Sequence, residues 1–239
     1  MITVIHNSLA SPAGRLVPVL ERADLVVNHV RAHQGERLPW KPEAVVILGG
    51  EMSALQEGRY PYLRDEKAWI RQLVEQDTPI LGIGLGAQLV ADALGGRAYT
   101  ADRPEAGVID LTLTDEGASD PVIGPLRSPV FTVHADTFEL PPGAVLLASS
   151  DHFPHAFRLG PTLGIQFHPE IPSSKAADWA RNDLRPVIQA AGTDPDALVH
   201  QVVAAEHHLE AEAERLFERW LSTCPPRSWG RGPREERAG

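Results

Sequence analysis

The stretch GIQFHPE (164–170) sets His168 and Glu170 two residues apart, with a proline between them, at the end of an apolar run that reads as a strand. A histidine placed this way suits a general base whose neighbouring carboxylate fixes the imidazole tautomer and stabilises its cation. Taken alone, such a histidine is more often a structural one. A second stretch, LGIGLGAQ (81–88), reads as a strand, a tight turn and the first turn of a helix. Such an elbow holds its central residue in a strained, positive-φ backbone and projects its side chain outward. The central residue here is Gly84, which has none. Gly82 and Gly86 supply the small neighbours that close packing demands, and the amides opening the helix make an anion site. The alternative is a plain tight turn of an α/β sheet. Gly49-Gly50 ends the preceding strand, where crevices form at the carboxyl edge of parallel sheets, and the Gly50 N–H offers a second donor toward an oxyanion.

The elements that must position these residues follow from the apolar pattern. ITVIH (2–6), DLVVNHV (24–30), AVVILGG (44–50) and 79–83 read as strands; the third is so continuously apolar that burial on both faces of a parallel sheet is expected. Residues 14–23, 63–76 and 86–95 carry helical spacing, the last stopping at Gly95-Gly96. After residue 96, stretches 107–114, 129–134, 144–149, 155–159 and 163–167 read as strands whose hairpins join the parallel core. From 174 to 222 the chain reads as helical, with Asp194-Pro195 a helix start. Leu198, Val202, Ala205, Leu209, Leu216 and Trp220 form a stripe that docks on the core or, alternatively, on a second copy. A single domain over 1–222 is expected, with 174–222 as a helical C-terminal extension and 223–239 as a disordered tail.

Composition narrows the function. With 43% hydrophobic and 23% charged residues, a chain of 239 residues builds a substantial core. A formal charge of −10 argues against a nucleic-acid partner. No apolar run approaches a membrane span, and a single cysteine, Cys224, excludes a disulfide framework or thiolate metal site. A soluble cytoplasmic protein is expected.

Four segments in order, LGGEMSA (48–54), TPILGIGLGAQLVADALGG (78–96), HADTFELPPGAVLLASSD (134–151) and GIQFHPE (164–170), together resemble the class I, or triad, glutamine amidotransferases. The resemblance is nearest to stand-alone members similar to the GMP-synthase glutaminase domain, and it runs from about residue 1 to 222. It implies a flavodoxin-like three-layer α/β fold with a mostly parallel central sheet. In that family the elbow centre is a cysteine that attacks the side-chain amide of glutamine, forming a γ-glutamyl thioester and releasing ammonia. By matching position, His168 is the base, Glu170 its orienting acid, Gly50 and Leu85 the oxyanion-hole amides, and Gly84 stands at the nucleophile position. Gly49, Ser53, Gln88, His134 and His155 fall in the substrate-binding region.

The departures matter as much. Without a nucleophile, ordinary glutaminase turnover should fall by a factor on the order of 10⁶. The chain also reads HAFR (155–158) where relatives commonly read QAFR, and Gly107-Val108 in place of a glycine-tryptophan pair, a pattern that favours natural divergence over an introduced change. The leading expectation is a repurposed hydrolase or transferase acting on a small amide or γ-glutamyl-type substrate. The alternatives are a silent pseudoenzyme holding a ligand or protein partner, and a glutaminase inactivated by glycine in place of its cysteine. No cofactor is expected and no metal site is assigned, although His134, His152, His155 and His168 are the histidines whose convergence would hold one. Ser53 donates to a ligand or caps the next turn; Gln88 braces the pocket or touches the ligand; Glu105 and Asp136 read as surface or capping acids. A homodimer is the oligomer to test.

Overall fold

The computed structural model describes residues 1–224; the expected tail lies, from residue 225 onward, outside them. Strands β1 (Ile2–Ile5), β2 (Val27–Val30), β3 (Ala44–Ile47) and β4 (Ile80–Ile83) alternate with helices α1 (Leu16–Arg22) and α2 (Tyr62–Glu75), and helix α3 (Leu85–Ala93) leaves β4 at the elbow. Then come β5 (Arg97–Ile109), β6 (Thr112–Leu113), α4 (Asp115–Ser119), β7 (Val130–Glu139), β8 (Val145–Ser149), β9 (Pro154–Leu159) and β10 (Thr162–Ile165). Helices α5 (Ser173–Arg181), α6 (Arg185–Ala190) and α7 (Pro195–Thr223) complete the chain.

Eight strands form the central sheet in the order β2-β1-β3-β4-β10-β9-β8-β6. The pairs from β2 through β10 are parallel, and β9, β8 and β6 extend the sheet antiparallel. The continuous apolar run of β3 is explained by its position: Ala44 and Val46 face a core built with α1 and α7, while Val45 and Ile47 face one built with α2 and α3. Each strand residue therefore needs an apolar side chain whichever way it points. This is the three-layer α/β sandwich expected from the sequence.

One expectation changes. Hairpins do join the parallel core through β8, β9 and β10, but β5 pairs only with β7, as a separate two-stranded antiparallel sheet. Residues 97–106, read as connection, are strand; their side chains are largely polar because this ribbon has a solvent face, which removes the apolar signal. The helical extension comprises three helices, the last starting at Pro195 as read from the sequence. In α7 the Asp194 side chain accepts from the Ala197 N–H at 3.1 Å, the predicted cap. Of its stripe, Leu198, Val202 and Leu209 pack against α5 and α6, whereas Leu216 and Trp220 pack on the sheet beside α1. The stripe is thus spent within the molecule.

Candidate active site

The elbow between β4 and α3 is built as its glycines require. Gly84 has φ 55° and ψ −115°, a region L side chains rarely enter. A Cβ on Gly82 would stand 2.7 Å from the Gly86 carbonyl oxygen, and one on Gly86 would overlap the Ile47 carbonyl, so helix and strand meet this closely only through glycine. The Gly84 N–H donates to Ile165 on β10 at 2.8 Å, and its carbonyl accepts from the amides of Ala87 and Gln88. Leu85 opens α3, so its own amide has no helical acceptor and belongs to the positive end of the helix dipole.

His168 leaves the end of β10 and faces this elbow. Measured from the point where a Gly84 side chain would begin, its Cε1 lies at 2.6 Å and its Nε2 at 3.1 Å. The same ring carbon would lie 3.4 Å from a Cβ on Gly49. On its other edge, Nδ1 meets Glu170 Oε1 at 2.9 Å. With Nδ1–H donating to that carboxylate, Nε2 is left to exchange protons in the cleft. The ring is wedged edge-on against Trp179 and its backbone amide donates to Phe131, so its orientation is fixed from several sides. Glu170 is fully buried and is held through its main chain: the Arg15 amide donates to the Glu170 carbonyl, and the buried Arg15 guanidinium donates to the carbonyls of Pro169 and Ile171 and to Glu206.

These residues open on a cleft of about 290 Å³ at the carboxyl edge of the sheet. Gly50, Gly84, Leu85, Ser53, Gln88 and His134 line it together with His168. Ser53 caps its turn by accepting from the Leu55 amide, the bland alternative, yet still faces the cleft. Gln88 braces the wall by donating to the Asp136 carbonyl at 3.0 Å and to Gln166 at 3.2 Å. Gly49 sits immediately behind, beside His168 and Ser11. His155 stands apart from the cleft: it is fully buried on β9, one layer behind the wall, because its strand position points inward toward β5 and β7.

Glu105 and Asp136 depart from the expectation of surface or capping acids. Asp136 lines the cleft and accepts from the Thr100 hydroxyl at 2.8 Å. Glu105 lies at the centre of a network with His134 and His155. His168 belongs to the elbow and His152 is exposed, so the four histidines do not form one group. The cleft also has a roof the sequence did not disclose, made by Trp179 of α5, Val187 of α6, and Asp183 and Leu184 of the turn between them. Only the helical texture of 174–222 hinted at a covering layer.

The family profile described as Glutamine amidotransferase class-I matches residues 11–185, well over half of the chain. The chain belongs to this family. Among curated class I amidotransferase-like relatives, the glutamine amidotransferase-like protein YfeJ of Salmonella typhimurium is 32% identical over 160 residues, covering 63% of this chain and 66% of that protein. A GMP synthase (glutamine-hydrolyzing) of Thermomicrobium roseum is 34% identical over 134 residues, covering 54% of this chain. The chain spans only 24% of the length of that synthase. A crystal structure of a glutamine amidotransferase from Thermotoga maritima superposes with a TM-score of 0.80 at 26% identity, covering 92% of this chain and 97% of that one. The amidotransferase fold thus extends beyond the profile match into the C-terminal helices. Among the described residues no helix is long and apolar enough to cross a membrane.

Proposed function

We propose that this class I amidotransferase-like protein acts on a small amide or γ-glutamyl-type compound without a thiol nucleophile, using His168 as general base and Glu170 as its positioning acid. The carbonyl oxygen of the substrate would lie toward the amides of Gly50 and Leu85, which serve as oxyanion donors. Water, or the nucleophile of a second substrate, takes the place beside Gly84. In the hydrolytic case the water proton passes to Nε2, the oxygen adds to the carbonyl carbon, and collapse expels the amine, which takes that proton back. No thioester forms, because residue 84 carries no side chain.

The observation that carries this reading is the placement of His168, with Nδ1 on a buried carboxylate and its other edge against the elbow. The same contact also favours a second reading. The imidazole takes up the volume in which a side chain at 84 would start, as in a pseudoenzyme that holds a ligand or a protein partner. A glutaminase silenced by an introduced glycine is the third possibility.

Ammonia release from glutamine and amine release from γ-glutamyl anilides, measured on the protein and on its His168→Asn and Gly84→Cys variants, separate the three. Turnover by the unaltered protein that depends on His168 supports the repurposed enzyme. Glutamine hydrolysis appearing only with Gly84→Cys supports the silenced glutaminase. Thermal stabilisation by such compounds without turnover in either form supports the pseudoenzyme and overturns the proposed base chemistry.

A further inference from the structure

Behind the cleft wall, three strands bring together Glu105 from β5, His134 from β7 and His155 from β9. Glu105 and His134 are direct register partners, and the β5 register shifts between Thr100 and Glu105, an irregularity of the kind that re-aims a side chain. Oε2 of Glu105 lies 3.2 Å from His134 Nε2 and 2.6 Å from His155 Nε2. One donor atom from each residue falls within 4.8 Å of the others. From these contacts we propose a binding site for a divalent cation of the zinc class, held by Glu105, His134 and His155, independent of the chemistry at Gly84.

The tautomer of His134 carries the argument. Its Nδ1 lies 3.0 Å from the Asp136 carbonyl oxygen, which only accepts, so Nδ1 must bear a proton. In the neutral ring Nε2 is then a lone pair, and it faces a carboxylate oxygen that also only accepts. Two acceptors at this separation need a positive charge between them: a second proton on the ring or a metal ion. For His134 and Glu105 the surroundings match what metal sites provide, whereas the buried Nδ1 of His155 has no hydrogen-bond partner. Ligating histidines donate their other N–H to a carbonyl or carboxylate, and ligating carboxylates are themselves hydrogen-bonded. Here the Asp136 carbonyl serves His134, and the Ser150 hydroxyl donates to Glu105 Oε1 at 2.7 Å.

Two imidazole nitrogens and one carboxylate oxygen suit zinc and its neighbours over magnesium or calcium, and they leave a fourth tetrahedral position for water or a ligand. Tetrahedral donors around zinc stand roughly 3.3 Å apart, so the Glu105–His134 spacing fits and the Glu105–His155 contact must open slightly. An ion has two approaches, because His134 lines the cleft while Glu105 lines a second cavity beside His152 and Phe153.

The test uses the full chain prepared without a polyhistidine tag, stripped with chelator and titrated with Co²⁺ and then Zn²⁺. The expected result is one bound equivalent, the visible absorption of low-symmetry Co²⁺, and a raised melting temperature. Glu105→Gln and His155→Gln should each weaken binding by about 100-fold or more. Glu105→Gln retains an acceptor for Ser150, which guards against a variant that merely fails to fold. His29→Gln, in the surface group of His6, His29 and His33, should leave binding unchanged. The proposal is overturned if the unaltered protein takes up neither ion, if both core variants bind as it does, or if binding disappears with His29→Gln.

Discussion

The imidazole of His168 stands where a side chain on Gly84 would have to begin, its Cε1 2.6 Å from that point. Any residue with a Cβ at position 84 must therefore push aside a ring that Glu170, Phe131 and Trp179 hold in place. Gly84→Ala is expected to cost about 1–3 kcal/mol from the positive φ alone, with more from the displaced ring. Denaturant unfolding measures the loss, and the Cε1–H resonance of His168 should shift. Unchanged stability and an unmoved resonance would show that the elbow accommodates a side chain freely.

Glu170→Gln tests the other edge of the same ring. The side chain keeps its shape but loses the charge that steadies an imidazolium. Where turnover on a γ-glutamyl compound is found, it should drop by about 10²–10⁴-fold, with a far smaller change in KM. Equal losses in kcat and in ligand affinity would instead indicate that Glu170 only shapes the cleft.

Arg15 is a buried guanidinium whose hydrogen bonds tie the His168–Ile171 segment to α7 through Glu206. Arg15→Ala removes a donor from the Pro169 and Ile171 carbonyls and leaves Glu206 with the Ser173 amide alone, and should destabilise the protein by about 2–4 kcal/mol. Thermal or denaturant unfolding reads this directly. A loss below about 0.5 kcal/mol would mean that water replaces the donor at no consequence.

Glu66 on α2 is fully buried beside Asn7, which supports the segment leading to Gly50. Burial lifts its pKa to about 8 from the ordinary 4.5, against the smaller opposing pull of the Asn7 amide. Because the folded value is the higher one, its contribution is fully present below about pH 4.5 and is lost as the pH rises toward 8. Glu66→Gln should match the unaltered protein near pH 4.5 and exceed it by a few kcal/mol at pH 8 and above. Parallel unfolding curves across that window are the check; a constant difference would refute the assignment.

Cys224 is buried at the end of α7, its Sγ 3.5 Å from the Trp220 carbonyl, and burial pushes its thiol pKa up to about 12. It should resist disulfide reagents in the native state and react only at the rate of unfolding. Rapid labelling at neutral pH would place the thiol outside the core.

What the sequence disclosed follows the range of the interactions involved. The elbow glycines, the continuous apolar run of β3 and the Asp194-Pro195 start are local statements, each readable within a few residues. His168 and Glu170 were legible as a pair because they are adjacent. Glu105 was not, since its partners stand 29 and 50 residues away and meet it only when β5, β7 and β9 come together. The first part of β5, residues 97–106, was hidden for a related reason. Its polar outer face breaks the apolar pattern, and its pairing depends on β7, which follows a long connection.

Helix α7 runs 29 residues, about 43 Å, from the roof helices at its start to the far face of the sheet at its end. Among the described residues it bridges two layers of the molecule that no other helix joins in this way. Its first half packs with the covering helices α5 and α6, and its last turns seat Phe217 and Trp220 against the far face of the sheet, so a single element is shared by the cleft's cover and the opposite layer.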